Sequence, residues 1–202
     1  MILNRLARNT AFLIALGAIV SLGVQFVATW AEHPDETALQ ILWRMARFFT
    51  ILTNLLVAIT FGRIAGRGVP AWPEWGGGLT LWIAIVAVVY HVLLAKPLTG
   101  LDFWADLGLH SLVPAAAVLW WLIWADRRGL SWRTAVFWLL WPLAYVAYAL
   151  GRGAFDGTYP YFFTDPGRVG WDGVAVWSAT LCVVFFLSGM VVVWLARILP
   201  RG

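Results

Sequence analysis

Two short stretches of this sequence carry residues that can perform nucleophilic chemistry. The first, RFFTILTN, spans residues 47–54 and contains Arg47, Thr50 and Asn54. The second, DLGLHSLVP, spans residues 106–114 and contains Asp106 and His110. A threonine hydroxyl is a weak nucleophile until a base removes its proton, and a neutral imidazole is the most frequent base near neutral pH. Thr50 and His110 are therefore candidates for acyl transfer to threonine followed by hydrolysis.

Neighbouring polar residues have supporting roles open to them. Asp106 precedes His110 by four residues, so on a helix it can orient the imidazole, or it can instead neutralise Arg47. Arg47 or the Asn54 amide can stabilise an oxyanion, and Arg44 is suited to hold a substrate carboxylate or phosphate. Each residue also has a plainer interpretation: Arg44 can reach the interface, Asn54 can pack helices together, and His110 can be a hydrogen-bonded core residue.

The composition places these residues in a membrane. The chain is 62% hydrophobic and only 12% charged, with a mean hydropathy of +0.81, which excludes a water-soluble domain of 202 residues. No linker or internal repeat divides the apolar stretches. We therefore predict one all-α domain over residues 1–202, a bundle of six transmembrane helices. The expected spans are Thr10–Trp30, Leu39–Phe61, Gly78–Ala95, Phe103–Trp124, Thr134–Leu150 and Val174–Leu195.

The basic residues predict the orientation. Nine arginines fall at the two ends of the chain and in the second and fourth connections, against three basic residues in the other connections. The positive-inside rule then places both termini in the cytoplasm of a multipass protein of the cell membrane. The net charge of +4 follows from this rule, and we expect no nucleic-acid partner because the arginines form no basic stripe. The nine are Arg5, Arg8, Arg63, Arg67, Arg127, Arg128, Arg133, Arg197 and Arg201.

This orientation brings the polar residues of three helices to similar depths. At about 1.5 Å per residue, Arg44, Arg47, His91 and His110 lie in the outer half of the bundle, with Thr50 near its floor. Arg47, Thr50 and Asn54 share one face if the second span is a continuous helix. We expect Arg47, Asp106 and His110 to form one cluster facing Thr50. Pro114 lacks an N–H, so we expect its helix to bend beside His110.

The fifth connection, GRGAFDGTYPYFFTDPGRVGWDG, covers residues 151–173. Its glycines and prolines predict a segment without regular helix, and its aromatic residues, Tyr159 among them, predict a lid on the membrane surface over a lipid-sized pocket. Tyr145 and Tyr148 form a stripe that points toward the same opening. We include these three tyrosines among the supporting or substrate-binding residues.

The chain resembles the androgen-induced-gene-one-like proteins and their bacterial relatives. The resemblance rests on RFFTILTN and DLGLHSLVP, on the six spans with both termini inside, and on YPYFFTD before the last helix. The animal members hydrolyse fatty acid esters of hydroxy fatty acids with an intramembrane threonine and a histidine. The resemblance implies that Thr50 is this threonine and His110 this histidine. Asp106 and the extra arginines depart from the pattern expected for the animal members, so the substrate does not carry over with the pair.

Two other classes of function stay open. His91 and His110 can serve as axial ligands of a haem in a membrane cytochrome, and Arg44, Arg47 and His110 can hold a small anionic lipid or metabolite without catalysis. The GxSxG and HExxH motifs are absent, which disfavours a conventional lipase or metalloprotease. The favoured prediction is a carboxylic ester hydrolase with a lipid or fatty-acyl substrate and with no cofactor or metal.

Overall fold

The computed structural model describes residues 2–199. Within this range the chain is helical and has no β-strand, which confirms the all-α class. Contacts divide the chain into two compact units: Leu130–Ile198 form the second, and the residues on either side of that range form the first. The predicted single domain of residues 1–202 stays a prediction. Arg201, one of the nine arginines counted for orientation, lies outside the described residues.

Six helical segments are long and apolar enough to cross a membrane, as predicted. They are Arg5–Glu32, Phe49–Arg67, Pro73–Leu94, Gly100–Trp124, Trp132–Asp156 and Pro166–Ile198. Their α-helical parts, together with one short helix outside them, are α1 (Arg5–Glu32), α2 (Ala38–Met45), α3 (Phe49–Arg67), α4 (Pro73–Val89), α5 (Gly100–Leu107), α6 (Val113–Trp124), α7 (Trp132–Phe137), α8 (Leu140–Asp156) and α9 (Pro166–Ile198).

The first unit is built around α1, which packs along α3 and against α5 and α6. The buried face of α1 is lined by small residues, and small side chains allow helix backbones to approach closely in a membrane. The indole N–H of Trp120 on α6 donates to the carbonyl of Ala7 at 2.9 Å and joins the two helices. The small residues are Ala7, Ala11, Ala15 and Ala18.

The predicted second span, Leu39–Phe61, is wrong at its beginning. A capping box between Thr37 and Gln40 starts the separate short helix α2, which ends at Met45. The backbone then leaves the helix, and Phe48 adopts an extended conformation with φ −94° and ψ 132° before α3 begins. The spanning helix therefore begins at Phe49.

This break changes the positions of the two arginines. Arg44 lies in the last turn of α2 and Arg47 in the break, so neither belongs to the helix that carries Thr50. The predicted shared face of Arg47, Thr50 and Asn54 is wrong for the same reason, and so are the depths derived from one continuous helix. Only Thr50 and Asn54 share a face of α3.

Two π-turns interrupt the helices of the first unit, and each contains one histidine. Tyr90–Leu94 closes α4, with the Ala95 N–H bonded to the Tyr90 carbonyl at 2.8 Å. Gly108–Leu112 joins α5 to α6, with the Val113 N–H bonded to the Gly108 carbonyl. The irregularity expected near Pro114 is thus a π-turn that ends just before it. Such turns are rare in helices and occur frequently at functional sites.

Gly108 brings the second π-turn into direct contact with α1. A Cβ atom at this position would lie 2.0 Å from the Ser21 Oγ and 2.8 Å from the Ser21 Cβ, so only glycine fits. Ser21 itself donates its hydroxyl hydrogen to the Gly17 carbonyl at 2.8 Å. This close approach fixes the position of the turn that carries His110.

The second unit contains α7, α8 and α9, and it corrects the expectation for residues 151–173. Helix α8 continues to Asp156, a 3₁₀-helix covers Phe162–Thr164, and α9 begins at Pro166. Two of the glycines, at 151 and 153, lie within α8, and Gly157 ends this helix with φ +73°. Gly170, where φ is +70°, forms a kink in α9. The predicted lid function of this segment stays a prediction.

Candidate functional site

Thr50 and His110 lie side by side in the first unit. Thr50 occupies the second position of α3, and His110 lies in the middle of the second π-turn. The Thr50 Oγ1 is 3.3 Å from the His110 Nε2, and the imidazole side chain is 14% exposed. Without substrate, the hydrogen bond between a nucleophile and its base is often somewhat longer than in the reacting complex, and 3.3 Å fits that pattern. The two residues predicted to act together are thus within reach of one proton transfer.

Asp106 completes this pair on the opposite side of the imidazole. Its Oδ1 lies 2.9 Å from the His110 Nδ1, an ion-pair distance, although Nδ1 makes no hydrogen bond with the described residues. A carboxylate beside Nδ1 favours the tautomer that carries its proton there and leaves Nε2 free to accept the threonine proton. Asp106 thus lies beside His110, and its role in orienting the imidazole stays a prediction.

Tyr90 holds the plane of the imidazole. Its ring stacks on that of His110 with the ring centroids 3.7 Å apart and the planes inclined by 14°. Tyr90 is buried at the end of α4, and its phenol also interacts with the Asp106 carboxylate. The sequence analysis missed this residue because an aromatic side chain near a helix end is typical of any membrane protein.

Asn54 corrects a hydrogen-bonding defect that the second π-turn creates. In an α-helix the Leu109 carbonyl would accept from the Val113 N–H, but this N–H bonds to Gly108 instead. In a π-helix it would accept from residue 114, which is a proline and has no N–H. The Asn54 Nδ2 donates to the Leu109 carbonyl at 3.2 Å, so α3 provides the missing donor.

The same amide is fully used in this arrangement. The Asn54 Nδ2 also donates to the Thr50 carbonyl at 2.9 Å, so both of its hydrogens are engaged. Asn54 is fully buried, and its Oδ1 accepts no hydrogen bond from the residues that the structure describes. The amide therefore joins the backbone at Thr50 to the backbone beside His110 and has no hydrogen left for an oxyanion.

His91 lies next to this site with a different partner. Its Nε2 is 3.1 Å from the Ser111 Oγ, and its side chain is exposed. Both histidines thus have Nε2, the usual axial-ligand atom, beside a hydroxyl group. Within residues 2–199 no group of three or more His, Cys, Asp or Glu side chains could hold a metal ion.

The two arginines predicted to support the site both precede α3 in the chain. Arg44 binds Glu36, with the Nε 3.2 Å from the Glu36 Oε2, and this guanidinium lowers the pKa of the Glu36 carboxyl below its ordinary value. This pairing reduces the support for Arg44 as a binder of a substrate anion. The Arg47 side chain is buried, with 8% exposed, in the break that precedes α3.

The three tyrosines proposed as supporting residues belong to the second unit. Tyr145 is buried on α8, and the Tyr148 hydroxyl accepts a hydrogen bond of 2.9 Å from the Arg152 Nη1. Tyr159 packs on α8 at Gly153, where a Cβ atom would lie 2.2 Å from its ring. These contacts fix the tyrosines within their own unit.

The structure therefore gathers four of the predicted residues, Thr50, Asn54, Asp106 and His110, and adds Tyr90 to them. No protein-family model, no curated protein and no solved structure matches this chain.

Proposed function

We propose that this protein is an intramembrane threonine hydrolase that cleaves a lipid ester. The observation that carries this proposal is the row of atoms from the Asp106 carboxylate through His110 to the Thr50 hydroxyl, with separations of 2.9 Å and 3.3 Å. It has the order of orienting acid, base and nucleophile that acyl-transfer enzymes use on unrelated folds. The sequence resemblance to threonine hydrolases of fatty acid esters of hydroxy fatty acids supports the roles of Thr50 and His110, whereas Asp106 departs from the pattern of the animal members.

The reaction proceeds in two steps. The Thr50 Oγ attacks the ester carbonyl while the His110 Nε2 takes the hydroxyl proton, and the imidazolium then protonates the departing alcohol to leave an acyl-threonine. In the second step His110 takes a proton from water, and the resulting hydroxide attacks the acyl carbonyl. The imidazolium then returns the proton to the departing Thr50 oxygen, which releases the fatty acid and restores the threonine. Asp106 stabilises the imidazolium in both steps without taking the proton itself.

The beginning of α3 is the proposed source of oxyanion stabilisation. Thr50 lies in the first turn of this 19-residue helix, and no side chain caps that end. First-turn N–H groups and the positive end of the helix dipole favour a negative charge that develops beside them. This arrangement replaces the Asn54 amide, both of whose hydrogens are already bonded.

The substrate class follows from the surroundings of the site. Thr50, Asp106 and His110 all lie in segments that are able to span a membrane, where the accessible esters are those of lipids. The proposed location is the cell membrane with both termini in the cytoplasm, as the positive-inside rule predicts. A cysteine introduced at position 168 should react with a membrane-impermeant maleimide added from outside, and protection at that position would contradict this topology.

Two other functions, anion binding and haem binding, are supported by fewer observations than ester hydrolysis. A binder of an anionic lipid or metabolite would use Arg47, because a buried arginine in a membrane protein is a candidate for anion binding. A haem protein would use His91 and His110, and it would give the purified protein a visible absorption band. Neither alternative requires Thr50 to form a covalent bond.

Labelling with a fluorophosphonate probe tests the proposed nucleophile. Purified protein in detergent should become covalently phosphonylated, and Thr50→Ala should remove the label. Thr180→Ala is the matched control, because Thr180 is an exposed membrane-helix threonine on α9. Thr53 lies on the same helix as Thr50, but it is fully buried and makes a poorer control. Equal labelling of folded Thr50→Ala and wild type would overturn the proposal.

A further inference from the structure

A pocket of about 410 Å³ lies in the first unit, between the end of α3 and the beginning of α4. It shares no lining residue with the Thr50–His110 site. Its lining joins two arginines, two tryptophans and several aliphatic side chains, and it contains no acidic residue. It is therefore a basic pocket with apolar walls.

The charge of the pocket comes from Arg63 and Arg67. These residues are four apart on α3, so their guanidinium groups lie on the same side of the helix, and both side chains are exposed. Arginine presents a planar set of N–H donors that matches a phosphate group. Two such groups without an acidic neighbour in the lining complement one phosphate.

The rest of the lining is suited to the tail of a lipid. Leu56 and Ile59 continue the wall along α3 away from the arginines, and Ile59 is 50% exposed. Trp72 and Trp75 form the other side at the beginning of α4, and the Trp75 Nε1 donates to the Thr60 Oγ1 at 2.9 Å. Tryptophans at helix ends typically lie at the level of lipid headgroups.

We propose that this pocket binds an anionic phospholipid. Its phosphate would lie between Arg63 and Arg67, and an acyl chain would follow Leu56 and Ile59. Basic pockets at the ends of transmembrane helices recognise anionic headgroups in this manner. The proposal is independent of the hydrolase function, since it uses neither Thr50 nor His110.

Native mass spectrometry of lipid adducts tests this proposal on the full-length protein in neutral detergent. The wild type should retain phosphatidylglycerol at least about tenfold more tightly than phosphatidylcholine. The double variant Arg63→Gln/Arg67→Gln should lose about tenfold in phosphatidylglycerol affinity. Arg63→Lys/Arg67→Lys should lose less, because it keeps both charges but not the planar donors.

The matched control is Arg5→Gln/Arg197→Gln. This variant also removes two positive charges, and both positions are exposed. Arg197, like Arg67, lies in the last turn of its helix. We expect this variant to bind as the wild type does. Trp72→Ala, at a side chain that is 82% exposed, tests the apolar wall and should weaken binding of the lipid without unfolding the protein.

Three results would overturn the proposal. Equal losses in the pocket and control variants would show a general charge effect. Equal retention of phosphatidylcholine would show binding without headgroup recognition. Competition by water-soluble glycerol 3-phosphate at the concentration at which the lipid binds would show a simple phosphate site.

Discussion

The two histidines of the first unit lie on two similar π-turns, yet their surroundings differ. His110 is half-buried between a carboxylate and a threonine and is stacked by Tyr90, whereas His91 is exposed and contacts only Ser111 among the interactions found for its ring nitrogens. The turn of His110 is also held from two sides, by Asn54 of α3 and by the contact of Gly108 with α1. The turn of His91 closes α4, and its first residue is Tyr90, which stacks on His110.

This difference shows that a π-turn alone does not give a histidine both a carboxylate and a threonine hydroxyl as neighbours. The turn brings a side chain out of helical register, and the helices packed around it decide which groups that side chain meets. Precise positioning by supporting groups is a general requirement of active sites, because small displacements of a reacting group slow the reaction strongly. The rigid, cross-linked turn is therefore the better position for a base.

Replacing each histidine gives the largest expected contrast between the two turns. His110→Ala should lower the rate of lipid-ester hydrolysis by about 10²–10⁴, the range of a lost general base, while His91→Ala should change it only a few fold. Thr50→Ala should cost as much as the double variant with His110→Ala, because the two residues act as one unit. Steady-state rates with detergent-solubilised esters measure this.

A larger loss of hydrolysis rate in His91→Ala than in His110→Ala would contradict the proposed difference between the two turns. If His91→Ala abolished turnover and His110→Ala did not, the half-buried histidine would be a packing residue. Additive losses for Thr50→Ala and His110→Ala would show that the two side chains act in different steps. A retained fold, checked by size-exclusion chromatography and circular dichroism, is needed for each variant.

Asn54→Leu tests the cross-link from α3 to the second π-turn. It leaves the Leu109 carbonyl buried without its donor, which costs about 1–3 kcal/mol of unfolding free energy. We also expect the rate to fall about tenfold, since His110 loses a constraint. In Pro114→Ala a backbone N–H becomes available for this carbonyl, so the loss in stability caused by Asn54→Leu should be smaller in that background.

Equal losses in both backgrounds would contradict this account of Asn54. The corresponding test on the first π-turn is Ser111→Ala, which removes only the contact to the exposed His91. We expect that change to have little effect on stability. The pair of results separates a structural hydrogen bond from a surface one.

The elements that the sequence predicted correctly are those set by composition and short-range spacing. Six apolar segments of spanning length required six helices, and the four-residue spacing of Asp106 and His110 required one shared face. The break before Phe49 was missed because residues 46–48 contain no proline or glycine to signal it. The loss of helix there depends on backbone conformation, which hydropathy does not report.

The roles of Asn54 and Gly108 were also beyond the sequence. Asn54 donates a hydrogen bond to the Leu109 carbonyl, 55 residues away in the sequence. That carbonyl lacks a helical donor only because the helix forms a π-turn there. Gly108 matters because of Ser21 on another helix. Both are tertiary effects that spacing within one segment cannot reveal. Pro114 alone gave a local signal of the irregularity.

Gly108→Ala should lower the stability through the position of the turn rather than through its hydrogen bonds. The added methyl group would overlap Ser21, and overpacking of this kind costs about 1–3 kcal/mol. Ser21→Gly removes both atoms that clash, so the double variant should regain most of the stability lost. Gly62→Ala on α3 is the matched control, because nothing lies within 4 Å of its added Cβ. A loss at Gly62 equal to that at Gly108 would contradict the importance of this contact.

The smallest expected effect concerns Glu36 and Arg44, which lie ahead of α3 and outside the histidine comparison. Arg44 lowers the pKa of Glu36 from its ordinary value of 4.5, so the ionised carboxylate favours the folded state. That contribution is present above the ordinary pKa and is lost as the pH falls through the lowered value. Glu36→Gln should therefore lower the melting temperature slightly near about pH 7, and this loss should disappear as the pH falls through the lowered pKa of Glu36. Turnover by His110 should stay unchanged, because Arg44 is held in α2 and not on the helix of Thr50. A fall in turnover with Glu36→Gln at unchanged stability would instead place Arg44 in the substrate site.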